Sequence, residues 1–284
     1  MLTLSLIIPV YNEEHHIGAC LNAIKNQTVK PDKVIVVDNN CTDRTVEIVK
    51  EYDFVTIIKQ PAQGRAHARN AGFEAASGDI YGRIDADSRI EPDWVERVKA
   101  RFTADTELTG ITGLGLTDWL PYISIKSLMI KLPSRVYYWF VHFGFKTTTM
   151  WGANMAIRSD VWPGIRGAVI VDDADIHEDQ DISLCIAALN KKIEVDNDLL
   201  IRTEGQTFRY LPKFIRYNRM FFNTRKQHIT TIKNLSTYRL SALRLIPGLL
   251  AGIFIGLIMF CFVLVLFIPD YALIKLRYKH RSLN

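Results

Sequence analysis

The chain has 284 residues and a formal net charge of +5, which is enough length for one substantial hydrophobic core with an appendage. Its 48% hydrophobic and 23% charged residues are ordinary for a globular protein. The four cysteines have no spacing typical of a metal site or a redox pair. This argues against a cysteine metal site and a redox-active cysteine pair, and it indicates buried free thiols in a reducing compartment. They are Cys20, Cys41, Cys185 and Cys261.

The N-terminal part alternates apolar strand patterns with amphipathic helix patterns. The predicted strands cover residues 4–10, 33–37, 54–58 and 80–84. The predicted helices follow them, with Asn12 and the Thr42–Asp43 pair as helix caps, and the later two cover residues 66–76 and 94–102. This alternation predicts an α/β fold with a mostly parallel sheet and helices on both faces.

Polar side chains follow several of these strands at the point where each strand ends. Tyr11 and Asp38 follow the first two strands, and Asp85 and Asp87 follow the fourth. Ligands of open parallel sheets bind beyond the carboxyl ends of the strands, so we expect these residues to share one cleft. Two carboxylates there can hold Mg²⁺ or Mn²⁺ with positions left open for phosphate oxygens. A solvated turn with an aspartate helix cap is the alternative.

The predicted helix after the third strand opens with Gly64. Glycine lets the backbone turn tightly, and the free N–H groups of the helix start, with Arg65 and Arg69, suit a phosphate. A plain packing helix with solvated arginines is the alternative. A dinucleotide fold is disfavoured because no G-x-G-x-x-G follows the first strand, and no Walker A loop is present.

Four motifs together carry a resemblance to a known family. They are Ile-Ile-Pro-Val-Tyr-Asn-Glu at 7–13, Val-Val-Asp-Asn-Asn-Cys-Thr-Asp at 36–43, the run 64–70, and Asp85-Ala-Asp87. Over about residues 2–210 the chain resembles the inverting nucleotide-sugar glycosyltransferases of family 2, which have the GT-A fold. The resemblance implies that the Asp-x-Asp binds the diphosphate and its divalent cation, through Asp87 and Asp85. It also implies a nucleotide site made of Pro9, Tyr11, Glu13, Asp38, Gly64, Arg69 and Asp85.

The resemblance extends to three later segments. It implies a sugar and acceptor pocket bordered by Trp151, Gly152, Ala153 and Asn154, and it implies that Asp179 is the general base with Glu178 in support. A sugar hydroxyl needs such a carboxylate to take its proton as the new bond forms. Gln206 and Arg209 would contact the leaving diphosphate, and Arg209 would neutralise it. Tyr210 stands where processive members have Trp, so processivity stays open. We assign His177 a structural role.

The C-terminal third is unusually basic and apolar. From residue 205 to residue 268 there is no Asp or Glu among many Lys and Arg residues, which indicates an anionic partner such as nucleic acid, lipid headgroups or phosphates. Residues 249–268 carry no charge, enough for about one bilayer core. A basic, aromatic stretch before an apolar segment favours an anionic membrane over nucleic acid.

These patterns divide the chain into a catalytic domain and membrane-associated segments. We predict a GT-A domain at 1–210, in which 118–149 is an interfacial acceptor insertion or an ordinary aromatic core. A basic-aromatic juxtamembrane segment at 211–244, a transmembrane or re-entrant helix at 245–268 and a basic tail at 269–284 follow. No signal peptide is evident, so we expect the protein at the cell membrane with its catalytic domain in the cytoplasm.

The sequence therefore favours a metal-dependent glycosyltransferase that uses a nucleotide-diphospho-sugar donor and a lipid-linked or cell-envelope glycan acceptor. A catalytically inactive scaffold that binds nucleotide and membrane is one alternative. A nucleotidyltransferase is the other, although such enzymes carry a Gly-rich, basic loop after the first strand where this chain has Tyr-Asn-Glu-Glu.

Overall fold

The computed structural model describes residues 2–117, 138, 147–172, 174–203 and 211–229. Its strands are β1 Leu4–Val10, β2 Lys33–Asp38, β3 Val55–Lys59, β4 Ile80–Ile84, β5 Arg89–Ile90, β6 Leu108–Thr117, β7 Asn154–Arg158 and β8 Lys192–Thr203. Its α-helices are α1 Ile17–Lys25, α2 Thr45–Val49, α3 Arg65–Ala75, α4 Trp94–Ala104, α5 Trp162–Ile165, α6 Glu178–Ala188 and α7 Leu211–Gln227. The strands predicted from the sequence are all present, within about one residue at each end.

The strands form one sheet in the order β3-β2-β1-β4-β7-β6-β8-β5. The strands from β3 to β4 are parallel, as predicted, and Val10 pairs with Asp38 at the carboxyl ends of β1 and β2. The remaining half is mixed, because β7 runs antiparallel to both β4 and β6. The fold is therefore a mixed α/β sheet of the GT-A type, and the prediction of a mostly parallel sheet holds for the first four strands.

The hydrophobic core lies on both faces of the sheet. In β1, Leu6 and Ile8 pack with α1 and α4 on one face, whereas Ile7 packs with α3 and α6 on the other, and all three are fully buried. A strand buried on both faces shows a continuous apolar run instead of an alternating one. This explains why β1 and β2 were readily predicted from the sequence.

The prediction that Asn12 caps the first helix is wrong. Helix α1 begins at Ile17, and Asn12 has a φ of 54°, a left-handed conformation that asparagine tolerates better than most residues. Its side-chain oxygen accepts the Thr42 N–H at 2.8 Å. The second predicted cap, Thr42–Asp43, lies just before the observed N-cap of α2, Arg44, which has no side-chain capping hydrogen bond. Asp43 Oδ1 accepts the Thr45 N–H at 3.0 Å where α2 starts. Asn12 thus joins the loops after β1 and β2.

Several predictions concern residues outside the described part of the chain. The proposed insertion at 118–149 is described only at Tyr138 and from residue 147 onward, and the segments 245–268 and 269–284 are not described. Of the described helices, none is both long enough and apolar enough to cross a membrane. The beginning of the basic-aromatic segment is described, and it forms α7.

Candidate active site

The first two strands bring Tyr11 and Asp38 to one edge of the sheet. Asp38 is 8% exposed, and its Oδ1 accepts the Cys41 N–H at 2.9 Å, which holds the turn after β2. Tyr11 is 52% exposed, and Pro9 pairs with Val37 in the neighbouring strand. An exposed aromatic ring beside a buried carboxylate at a strand end suits a base and its ribose. The structure therefore brings these predicted nucleotide residues together.

A loop anchored by Asn39 leads into α3. The Asn39 side chain is buried, accepts the Gly64 N–H at 2.8 Å and donates to the carbonyls of Gln60 and Ala62. Gly64 has a φ of 148°, a conformation that favours glycine. Asn39 was not singled out by the sequence analysis, although an asparagine directly after a strand-ending aspartate was a visible signal.

The carboxylates of Glu13, Asp85 and Asp87 lie near one another. Burial raises the pKa of Glu13, and the charges of Asp87 and Asp85 raise it further. Burial and Asp87 also raise the pKa of Asp85, although Arg83 opposes this. Such mutual repulsion between hard oxygen donors is relieved by a divalent cation, so these residues fit Mg²⁺ or Mn²⁺.

A buried ion-pair network joins the Asp-x-Asp segment to α6. Arg83, in β4, donates through Nη2 to Asp85 Oδ1 at 2.9 Å and through Nη1 to Glu178 Oε2 at 2.8 Å. Arg69 is fully buried, also contacts this carboxylate at 3.5 Å and donates to the Glu178 carbonyl. Burial would raise the pKa of Glu178, but Arg83, Arg69 and Arg65 outweigh it and lower that pKa to about 2.

This network corrects two expectations about individual residues. Arg69 was expected to meet a phosphate directly, but its guanidinium is turned into the interior toward Glu178. Glu178 was expected to support the base, but its carboxylate is buried and paired with Arg83, so a role beside the base stays a prediction. Arg83 itself was not assigned a role from the sequence, and a charged residue inside an apolar strand was the signal that could have revealed it.

Asp179 lies in the first turn of α6, and its carboxylate is oriented by main-chain donors. Its Oδ2 accepts the Gly152 N–H at 3.0 Å, and its Oδ1 accepts the Gln180 N–H at 2.8 Å. The side chain is 18% exposed, so it reaches solvent while its position is fixed. Such a carboxylate has the features of a general base.

The predicted pocket segment lies next to Asp179, but Gly152, Ala153 and Asn154 are buried and Trp151 is half-buried. A Cβ atom on Gly152 would lie 2.3 Å from Arg83 Nη1, so glycine is required for this close approach. Asn154 is fully buried; its Oδ1 accepts the Trp94 Nε1–H at 2.8 Å and its Nδ2 donates to the Leu199 carbonyl at 2.9 Å. Ala153 is 3% exposed. Asn154 and Ala153 therefore support the segment from the interior.

Helix α7 contacts the residues just before α6 and the first residue of α3. Arg65 lies with its guanidinium 5.9 Å from the centre of the Tyr217 ring, and Arg219 pairs with Asp175 at 2.9 Å. Burial would lower the pKa of Arg65, but Glu178 and Tyr217 outweigh it and raise that pKa, so Arg65 stays a cation beside the start of α3. Gln206 and Arg209, which were predicted to contact the diphosphate, lie outside the described residues.

A further group of metal-capable side chains lies on the other side of α6's first turns. His228 Nε2 lies 2.7 Å from Asp181 Oδ1, with Cys185 nearby, and all three are buried. Within the described ranges this is the one set of three such residues whose ligand atoms lie within 4.8 Å of one another. Asp85 and Asp87 do not belong to this set of three. A cation held by these two carboxylates would keep open positions for phosphate oxygens.

A model of Glycosyl transferase family 2 matches residues 5–162. The chain belongs to this family. The family-2 chain is 36% identical over 108 residues to the putative glycosyltransferase EpsH of Bacillus subtilis, which spans 37% of this chain and 31% of EpsH. It is 44% identical over 100 residues to the glycosyltransferase AglE of Haloferax volcanii, which spans 33% of each chain. The chain thus matches about a third of the length of these relatives.

Solved structures confirm the fold of this family-2 chain. The mannosyltransferase PcManGT from Pyrobaculum calidifontis, in complex with GDP-Man and Mn²⁺, aligns with a TM-score of 0.64 over 95% of this chain and 82% of its own, at 18% identity. TarS 1–349 from S. aureus, in complex with UDP-GlcNAc, aligns with a TM-score of 0.55 over 87% of this chain and 79% of its own, at 17% identity. The predicted GT-A fold is confirmed by both.

Acid titration should reveal the Glu178 anchor in the stability of the protein. The pKa of Glu178 falls from 4.5 to about 2 on folding, so its stabilisation is complete above about pH 4.5 and is lost as the pH falls toward 2. We expect Glu178→Gln to lower the free energy of unfolding by about 3–5 kcal/mol at pH 7, because two arginines stay buried. Denaturant unfolding at several pH values measures this.

The matched control is Glu47→Gln, which removes an exposed carboxylate 3.6 Å from Arg44 and should change the free energy by less than about 0.5 kcal/mol. The difference between wild type and Glu178→Gln should shrink below pH 4.5. A difference that stays constant down to pH 2 would show that Glu178 does not act through its charge.

Proposed function

We propose that this family-2 chain is a metal-dependent inverting glycosyltransferase that moves a sugar from a nucleotide-diphospho-sugar to a hydroxyl acceptor. The observation that carries the proposal is the chain of contacts from Asp85 through Arg83 to Glu178 and Asp179. It holds a carboxylate suited to bind a metal and a carboxylate suited to act as a base within one connected unit.

The donor would bind along the carboxyl ends of β1, β2 and β4. Tyr11 and Asp38 would bind the base and the ribose. The start of α3 and Arg65 would bind phosphate, because helix N-termini and arginine both favour anions. In support, two proteins of similar fold are described in complex with GDP-Man and with UDP-GlcNAc. The nucleotide base and the sugar of this chain's donor are not assigned.

The reaction would be a single displacement with inversion at the anomeric carbon. The acceptor hydroxyl gives its proton to Asp179 as its oxygen bonds to the anomeric carbon, and the bond from that carbon to the diphosphate oxygen breaks. The Gly152 N–H would hold the Asp179 carboxylate in place during this step. When bound, a divalent cation at Asp85 and Asp87 supplies positive charge that offsets the charge of the departing diphosphate.

Replacing the base should separate binding from chemistry. Asp179→Asn keeps the shape of the side chain and an oxygen that accepts the Gly152 N–H, but it cannot take the acceptor proton. With the nucleotide-sugar that the wild type uses, identified from a panel by release of nucleoside diphosphate, we expect kcat to fall about 100-fold or more. Donor affinity should change little. As a control, Asp53→Asn alters an exposed aspartate and should leave kcat unchanged.

Equal transfer by Asp179→Asn and wild type would remove Asp179 as the base. A wild type that binds nucleotide but transfers no sugar from any donor of the panel, when lipid-linked and glycan acceptors are supplied, would favour the scaffold alternative.

Metal dependence gives an independent check. A chelator is expected to stop sugar transfer, and added Mn²⁺ or Mg²⁺ should restore it. Asp87→Asn should need at least about tenfold more Mn²⁺ for half-maximal activity, because a ligand of the cation is weakened, whereas Asp53→Asn should match the wild type. Full activity in the presence of chelator would contradict the metal role of Asp87.

The acceptor side of the proposal concerns the membrane. We propose a lipid-linked or cell-envelope glycan acceptor, with the protein at the cell membrane and its catalytic domain in the cytoplasm. The support comes from the sequence, where residues 205–268 lack any acidic residue and residues 249–268 lack any charge.

Cell fractionation tests this placement. The full chain should sediment with membranes, resist extraction by high salt and dissolve in detergent, because an apolar segment of this length is held by the hydrocarbon core and not by headgroup charge alone. Deleting residues 245–284 should make the protein extractable by salt. Recovery of the full chain in the supernatant would remove the membrane from the proposal.

A further inference from the structure

His177 stands directly before the Glu178–Asp179 pair and is held by α7. Its main-chain N–H donates to Thr224 Oγ1 at 2.9 Å, and its ring Nε2 lies 2.9 Å from the Tyr217 carbonyl oxygen. The imidazole also packs on the Tyr217 ring, with the two ring centres 5.2 Å apart. These contacts fix the orientation of the imidazole more firmly than a solvated loop residue would need.

The contact with Tyr217 decides which nitrogen of the neutral ring carries the hydrogen. A carbonyl oxygen can only accept a hydrogen bond, so Nε2 must be the donor. The other ring nitrogen, Nδ1, is then an acceptor with a lone pair. It lies 4.0 Å from Asp179 Oδ1, the distance at which one bridging water or a small turn of the ring makes contact.

Among the described residues, the Asp179 carboxylate lies 4.0 Å from the His177 ring, and Asp175, two residues before His177, pairs with Arg219 of α7. From α7 His177 meets Tyr217, and from α3 the Arg65 guanidinium approaches the far part of the same tyrosine. The Glu178 carboxylate is turned away and binds Arg83. His177 and Asp179 have side chains that are 13% and 18% exposed, so a proton that reaches the imidazole can pass to solvent.

We propose that His177 takes from Asp179 the proton that Asp179 removes from the acceptor, an inference that rests on the proposed function. The acceptor O–H bond breaks and the proton moves to the Asp179 carboxylate as the glycosidic bond forms. The proton then moves to His177 Nδ1, which forms an imidazolium ion and restores the Asp179 carboxylate. Release of that proton to water returns the neutral imidazole, so no oxidant or further reactant is needed. His177 acts through Asp179 and is a positioning and relay residue.

The pH dependence of kcat tests the relay. Turnover through the relay needs a neutral imidazole, so the wild-type kcat should fall with decreasing pH. His177→Gln keeps an N–H for the Tyr217 carbonyl but cannot accept a proton. We expect its kcat to be about tenfold lower than that of the wild type at pH 8 and not to decrease further as the pH falls. The KM for the donor should be nearly unchanged.

Thr224→Val is the control, because it removes the hydrogen bond to the His177 N–H but keeps the imidazole. Its pH profile should retain the wild-type fall. If the kcat of His177→Gln decreases with decreasing pH as the wild-type kcat does, the relay is overturned. If His177→Gln fails to fold, His177→Asn provides the same comparison. Absence of transfer by the wild type at every pH would instead overturn the proposed function.

Discussion

The ion pair between Arg83 and Glu178 is the interaction on which the site depends. Both side chains are nearly excluded from solvent, so each charge is tolerated only because the other is present. Arg83 belongs to β4, in the middle of the sheet, and Glu178 to the first turn of α6. The pair therefore fixes the start of the helix that carries Asp179 against the strand that leads to Asp85.

This arrangement explains the tight packing around the pair. Gly152 lies so close to the Arg83 guanidinium that a Cβ atom has no space, and the same glycine donates its N–H to Asp179. Arg69 approaches Glu178 from α3, so the helix that starts at the proposed phosphate site is joined to the same network. The pairing is incomplete, because the buried Arg69 Nη2 and Arg83 Nε atoms have no hydrogen-bond partner among the described residues, and a buried polar group without a partner is costly.

Helix α7 adds a further layer to the site, and it begins the most basic part of the chain. Its contacts with His177, Asp175 and Arg65 lie on the side of the site where Asp179 meets solvent. Movements of α7 would therefore reach His177 directly and Asp179 through it.

Much of the fold could be predicted from the sequence because the central strands are buried on both faces and therefore apolar throughout. The less regular pieces could not. Strand β8 contains Glu194, Asp196 and Asp198, which hide its pattern, and β5 has only two residues. The turn at Asn12 was misjudged, because a residue that suits a helix cap also suits a left-handed turn, and only the loop after β2 decides between them.

The sequence by itself determined the order of the elements, the placement of Tyr11, Asp38, Asp85 and Asp87 at strand ends, and the family to which the chain belongs, since these follow from local pattern and short motifs. The tertiary structure decided which charges are buried and paired. Sequence patterns gave Arg69 and Glu178 other roles and gave Arg83 none, and the pairing of these three residues arises only when β4, α3 and α6 meet. Contacts between residues about a hundred positions apart leave no local pattern, so the sequence could not reveal the network that holds the proposed base.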